Sequence, residues 1–525
     1  YPDLLPLFLL WNVKSRTYET GNSKVDPNRT KAKAFKVASW IPVAIALVGV
    51  VGAVASLSVF PGNAAKYASV LDTQDADFAQ DIQQVDYSEI PIIDRDSAAL
   101  LGNRAMGNIP EYVSQFEIAG TYSQINYQGT PVRVSPLGYA DLFKWFTNRE
   151  AGIPGYALVN MTTQNAEIVR LEDSPIYYSQ SEPLVRNIDR HVQLKYPFYM
   201  FDEKSFEIDE DGQPWWICPV QSRTIGLFGG RDIIGAVLVN AVTGESAYYK
   251  TGDVPNWVDH VYTAELIMQQ YDYHGAYVNG FINSLFGQRD VTVTTEGYNY
   301  IAIGDDVYMY TGVTSVVSDE SNIGFILSNQ RTKETRFYLV AGAKEYSAMD
   351  SAQGQVQQMK YTATFPLLLN ISDQPTYFMA LKDAAELVKM YAMVNVSQYQ
   401  IVATGDTVAS CEANYRRILA EKGLVSADDA DLPLTGQNEV IGVLEDIRSA
   451  VVDGNTLYYL HLTGDEHYYV ISAAQQPEVV IFNVGDSVAI RYAEGEGTIL
   501  TADSVTRTAA QTAPVVEETE TDGAA

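Results

Sequence analysis

The residues that could do chemistry are few and scattered. The five histidines, His191, His260, His274, His461 and His467, form no metal-binding spacing; His461 and His467 could converge across a hairpin, yet no third ligand stands near them. Asp209, Asp211 and Gly212 imitate the opening of a calcium loop, but the later oxygens and the closing Glu are missing, so the stretch reads as a turn. Asp94 and Asp96 flank Arg95, an acidic pair beside a base, without a second carboxylate at readable distance for general acid/base work. Cys218 and Cys411 are the two cysteines; there is no Cys-x-x-Cys, and a single disulfide between them is allowed but not demanded. No G-x-S-x-G, H-E-x-x-H or P-loop occurs, and no G-x-G-x-x-G sits between a strand and a helix. The sequence therefore assigns no catalytic, cofactor-binding or metal-binding residue and leans away from an enzyme.

Whatever positions such residues must be built from several units. A chain of 525 residues exceeds one ordinary core and predicts two to four domains. The 35 tyrosines against 18 phenylalanines favour strands, because a ring with a polar tip suits a half-buried pleated surface. A net charge of −30 excludes a nucleic-acid partner, since phosphates require a basic footprint.

Residues 37–60, VASWIPVAIALVGVVGAVASLSVF, contain no ionisable side chain and predict a transmembrane helix. Lys14, Arg16, Lys24, Arg29, Lys31, Lys33 and Lys36 precede it against Glu19 and Asp26, seven minus two or +5, while Asp72, Asp75, Asp77 and Asp81 follow. That asymmetry places the basic side in the cytoplasm and the bulk of the chain outside, an integral cell-membrane protein. A cleaved signal peptide and a buried core helix are the rival readings. Trp40 fits an interfacial anchor, and the pairs Gly49/Ala53 and Gly52/Ser56 offer a small-residue face for helix–helix association. The apolar stub at 2–11 suggests a natural protein that continues upstream.

Three segments share the pattern G-x-x-L-x-N-x-x-T: Gly155/Leu158/Asn160/Thr163, Gly235/Leu238/Asn240/Thr243 and Gly324/Leu327/Asn329/Thr332. Each reads as strand, turn, strand, with another hairpin upstream and helical stretches between, so these residues build turns and are not a ligand box. In the segment 256–287, Tyr277, Val278, Phe281, Ile282, Leu285 and Phe286 recur at helical spacing as one apolar face, read as a helix packed on the sheet. VLVNAVTGESAYY, 237–249, resembles the closing hairpin of PepSY-type domains, small α+β modules found mostly outside the bacterial membrane. The resemblance covers about 15 residues and implies no functional residue.

After a polar stretch at 423–437, short strands with no helix pattern predict a small β-barrel over 437–505. Its Val484-Gly485-Asp486-Ser487-Val488 run resembles the G-D-x-V turn of OB-like and SH3-like barrels. Tyr458, Tyr459, Tyr468 and Tyr469 read as ladder residues rather than a stacking platform. The expected class is membrane-anchored α+β, with one transmembrane helix, repeated helix/β-hairpin (PepSY-like) units and a C-terminal small β-barrel. The expected divisions are 1–36 (apolar stub and basic cytoplasmic segment), 37–60 (transmembrane helix), 61–110 (juxtamembrane helical/linker region), 111–260 and 261–422 (α+β repeat units), 437–505 (barrel) and 506–525 (disordered acidic tail). The expected function is a non-catalytic extracytoplasmic module, anchored in the bacterial cell membrane, that binds an envelope protein, peptide or cell-wall ligand or regulates a partner. The ectodomain of a multi-span transport or secretion component, and an envelope hydrolase, are the alternatives.

Overall fold

The computed structural model describes residues 29–82, 90–316, 318–426, 437–452, 455–473, 476–493 and 497–508. The apolar stub, most of the basic segment and nearly all of the acidic tail lie outside these residues.

The described strands form four sheets, antiparallel but for one edge strand of the third, and one closed barrel. In the first sheet the strands run Phe116–Ile118, Thr130–Tyr139, Gly155–Asn160, Ala166–Arg170, with Ser123–Tyr127 also on Thr130–Tyr139. The second repeats that order with Met200–Phe201, Pro214–Ile225, Gly229–Asn240 and Ser246–Lys250, and Ser205–Ile208 at the side. The third is centred on Asp306–Ser315 and Ser318–Asn329, joined at its edge by the parallel strand Thr73–Ala76. The fourth is built on Leu367–Ile371, Gln374–Lys382, Val388–Asn395 and Val402–Gly405. Strands Gln437–Val452, Asn455–Leu462, Tyr468–Ser472, Ile499–Arg507 and Ser487–Ala493 close the barrel around Leu460, Val488 and Ile490.

The sheets are held together by shared cores. Ile125 and Val134 of the first pack with Trp216 and Val237 of the second. Ile217 and Leu238 of the second pack with Met309 and Ile326 of the third. Tyr310 and Phe325 of the third pack with Tyr377 and Met393 of the fourth, and Val159 and Met161 of the first join that same core. The four sheets thus surround a centre.

The shared asparagines explain three of the turns. Asn160 Oδ1 accepts from the backbone N–H groups of Thr162 and Thr163, Asn240 Oδ1 from Val242 and Thr243, and Asn329 Oδ1 from Arg331 and Thr332. Each following threonine hydroxyl then accepts from the N–H two residues on. Gly155, Gly235 and Gly324 stand where any Cβ would collide with the carbonyl of the neighbouring strand, at Val169, Tyr249 and Tyr338.

Two expectations are overturned. Strands make up 40% of the chain and helices 27%, so the class is mostly β rather than membrane-anchored α+β. What recurs is a whole antiparallel sheet, not a helix/β-hairpin (PepSY-like) unit, and the intervening helices vary from 8 residues at Ile188–Lys195 to 14 at Ala264–Tyr277. Among the described residues no helix is long and apolar enough to cross a membrane, which removes the transmembrane helix and the membrane anchor built on it. The apolar run belongs to the helix Arg29–Ser56, whose first turns carry Arg29, Lys31, Lys33 and Lys36. That helix stops at Ser56 rather than Phe60, where polar bonds to the second sheet take over. Ser56 Oγ donates to Gly52 O at 2.6 Å and accepts from the N–H groups of Leu227 and Phe228, each at 3.0 Å. Tyr67 Oη donates to Ser56 O, and Asn63 Nδ2 donates to the carbonyls of Ala55 and Leu57. Gly52 packs under Leu227, while Gly49 has open space beside it. The side chains of Trp40, Ile45, Val48 and Val51 on this helix are exposed.

Candidate functional site

Most residues singled out in the sequence are placed by the fold in supporting roles. Cys218 and Cys411 are free thiols in different cores, and burial raises both, Cys218 to about 12. His461 faces the Asp465 carbonyl and His467 the Asp465 carboxylate, tying one barrel loop. Asp209 Oδ1 accepts from the N–H groups of Asp211 and Gln213 and its Oδ2 from Trp215 Nε1, which closes a turn. The helix Ala264–Tyr277 buries Leu266, Ile267 and Tyr271, whereas Val278, Ile282, Leu285 and Phe286 face outward. Four of the six residues of the apolar face read from the sequence are thus exposed, while Tyr277 and Phe281 are half-buried, because the helix ends at Tyr277.

The exceptions meet at the centre of the four sheets, around a cavity of about 470 Å³. Ser123, Gln124 and Arg133 come from the first sheet, Ser205 and Pro219 from the second, Tyr300 from the third-sheet strand Asn299–Ile303 with Tyr298 just before it, and Phe365 from the link between two strands of the fourth. Asp94 and Arg95, at the start of the helix Arg95–Gly107, complete the rim with Glu203 and Glu265.

Gln124 organises the floor. Its Oε1 accepts from Arg133 at 3.1 Å, its Nε2 donates to Tyr300 O at 3.3 Å, and its carbonyl lies 2.5 Å from His260 Nε2. A carbonyl only accepts, so Nε2 carries the histidine proton and Nδ1 is left as the acceptor. Burial pulls His260 down to about 4, helped by the nearby Arg133 charge and opposed by the Gln124 bond, so the imidazole is neutral at neutral pH. Burial likewise pulls Arg133 down to about 10, which leaves it cationic. Tyr298 Oη donates to Glu265, and Asp94 is held by Lys382 at 2.6 Å and by the N–H of Ser97.

Behind this floor two carboxyl groups share one buried layer. Glu207 accepts from the N–H groups of Asp259 and His260 and from the Ser205 hydroxyl. Asp259 Oδ2 accepts from the Asn126 N–H at 2.7 Å, while its Oδ1 has no partner. Burial raises Glu207 to about 7, and burial plus the Glu207 charge raises Asp259 well above the usual carboxylate range. Burial thus biases both carboxyl groups toward their protonated forms. These acids hold the loop that carries His260 and do not line the cavity.

Of the lining groups, only Asp94, Arg95 and His260 attracted notice in the sequence. Gln124 and Arg133 face each other across one hairpin, but Tyr300 reaches Gln124 from 176 residues away, so the group as a whole was silent. The nearest signal was polar residues, Gln124 and Arg133, inside otherwise apolar hairpin arms.

No family model matches the sequence, and no curated protein is similar to it. Among solved structures, a levansucrase mutant from B. megaterium gives a TM-score of 0.18 at 10% identity, over 82% of this chain and 96% of that one. The polysaccharide lyase Uly1 gives 0.16 at 9% identity, over 73% and 74%. A protein of unknown function from Dyadobacter fermentans DSM 18053 gives 0.14 at 10%, over 80% and 97%. At such scores the likeness carries no inference about this chain.

Proposed function

We propose that this chain is a non-catalytic binding module whose ligand enters the cavity between the four sheets. The observation that carries the reading is the convergence of all four sheets on one cavity whose polar groups are already oriented. Gln124 fixes Arg133, Tyr300 and His260 together, so a ligand meets a preformed arrangement and little ordering cost. Three acids at or behind the cavity are engaged within the fold: Glu207 and Asp259 by backbone N–H groups, Asp94 by Lys382. A cavity of about 470 Å³ admits a small organic ligand or the end of a peptide or glycan chain.

Affinity selection from envelope extracts and from peptide and saccharide libraries, read by mass spectrometry, tests the reading. The purified chain should retain a defined compound, and Glu203→Trp, which fills the exposed rim, should lose it while keeping a native circular dichroism spectrum. Equal retention by both proteins would remove the cavity from the reading. Conversion of the retained compound during incubation would replace a binding module with an enzyme.

A further inference from the structure

Three bases are buried among the described residues: Arg133, Lys382 and Arg416, at 7%, 6% and 3% exposure. Two of them are neutralised within the protein. Lys382 Nζ lies 2.6 Å from both Asp94 and Glu386, and Arg416 is 2.5 Å from Glu412. Several partly covered bases do the same: Lys204 meets Asp189, Arg331 meets Asp306 and Lys333 meets Asp232. Arg133 is the departure. Its one bond goes to the neutral Gln124 amide, its Nε–H is buried without an acceptor, and the nearby Asp94 is engaged by Lys382.

A guanidinium removed from water without a counter-charge is costly, and the cost falls when an anion supplies charge-assisted hydrogen bonds. Arg133 lines the cavity, so the missing counter-charge has a route in. The surrounding groups also suit one. His260 and Gln124 are neutral, and the acids Glu203 and Glu265 stand on exposed stretches at the rim rather than on the floor. Arg95 adds a second cation at the entrance, its guanidinium donating to the Gly120 carbonyl.

We propose that the ligand of this cavity carries an oxyanion, a carboxylate or a phosphate, that pairs with Arg133. The assignment rests on the reading of the cavity as a ligand site, and it adds the chemical class. Arg133 is the charge partner, Gln124 holds its planar fork in place, and Tyr298 and Tyr300 flank the body of the ligand.

The test uses the full chain labelled with ¹⁵N-arginine, titrated with sodium acetate, sodium phosphate and, as control, sodium chloride. The Arg133 Nε–H resonance, assigned with Arg133→Lys, should shift saturably with acetate or phosphate at roughly millimolar Kd and not with chloride. The tighter of the two anions separates a carboxylate ligand from a phosphate ligand. Arg133→Lys keeps the charge and loses the fork, and should weaken the anion by roughly tenfold, read by calorimetry. Arg95→Gln should leave the Arg133 response in place, separating the floor from the rim. An Arg133 resonance unmoved by both anions, or moved equally by chloride, overturns the assignment. That outcome leaves the cavity reading intact if Glu203→Trp still abolishes capture; equal capture by that variant overturns the cavity reading whatever the anions do.

Discussion

Two buried arginines, one in the fourth-sheet helix Val408–Glu421 and one on the floor of the central cavity, face the same physical problem and meet it differently. Arg416 sits one helical turn from Glu412, and the two side chains bond at 2.5–2.6 Å with both almost wholly covered. Arg133 has the Gln124 amide and an unused Nε–H. Position in the fold separates them. Arg416 is almost wholly covered on the helix whose Cys411, Tyr415 and Leu419 belong to the largest core, and it does not line the central cavity, through which a partner could be supplied. Arg133 borders open space. A charge satisfied internally reads as structure, and a charge left to be satisfied reads as a place for something else.

The largest test of that contrast is on the enclosed side. Glu412→Ala strands Arg416 in the core and should cost about 3–5 kcal/mol, the range for breaking a buried pair by removing one partner. Urea unfolding followed by tyrosine fluorescence would read it as a lower midpoint with unchanged slope. A loss below about 1 kcal/mol would mean that this pair contributes no more than an exposed ion pair, and the contrast with Arg133 would lapse.

The acid layer behind the cavity provides a smaller effect, read by pH. Glu207 is raised from 4.5 to about 7 in the folded chain, chiefly by burial. Folding therefore favours its protonated form. That contribution is fully present below about pH 4.5 and is lost as pH rises through about 7. Asp259 is raised in the same direction. Glu207→Gln should flatten the stability–pH curve between pH 5 and 7 while leaving the folded spectrum unchanged. An equally steep curve in the variant would assign the dependence to other groups.

Local chemistry was readable in the sequence and long-range compensation was not. The Oδ1 atoms of Asn160, Asn240 and Asn329 act within three residues of themselves, so the local sequence explains these turns. The glycines Gly155, Gly235 and Gly324 belong to the same hairpins. The run 37–60 misled because hydropathy registers the absence of charge but not what a serine bonds to. Ser56 reaches Leu227 and Phe228, about 170 residues away, and nothing in the run announces it. The cavity was illegible for the same reason. Asp94 finds Lys382 at a separation of 288 residues, and Gln124 finds Tyr300 at 176. Charge balance at a buried site is a property of the assembled sheets, and no window of sequence contains it.

The smallest expected effect is the most discriminating. Arg133→Met removes a buried charge that has no counter-ion, which favours the folded state, and strands Gln124 Oε1, which opposes it by about 1–3 kcal/mol. The two terms nearly cancel, so the net change in urea stability should lie within about 1 kcal/mol. This is several-fold less than for Glu412→Ala, although the side chain removed is the larger of the two. The same pair of proteins should then diverge when anion is added. Wild type should gain stability as RT ln(1 + [L]/Kd) with acetate or phosphate, whereas the Met variant should gain only what chloride gives at matched ionic strength. A loss above about 3 kcal/mol on Arg133→Met would place Arg133 beside Arg416 as a structural cation, and the contrast between the two sites would fail. A small loss together with vanished anion stabilisation has only one reading: the residue is held there at little benefit to the fold because its partner arrives from solution.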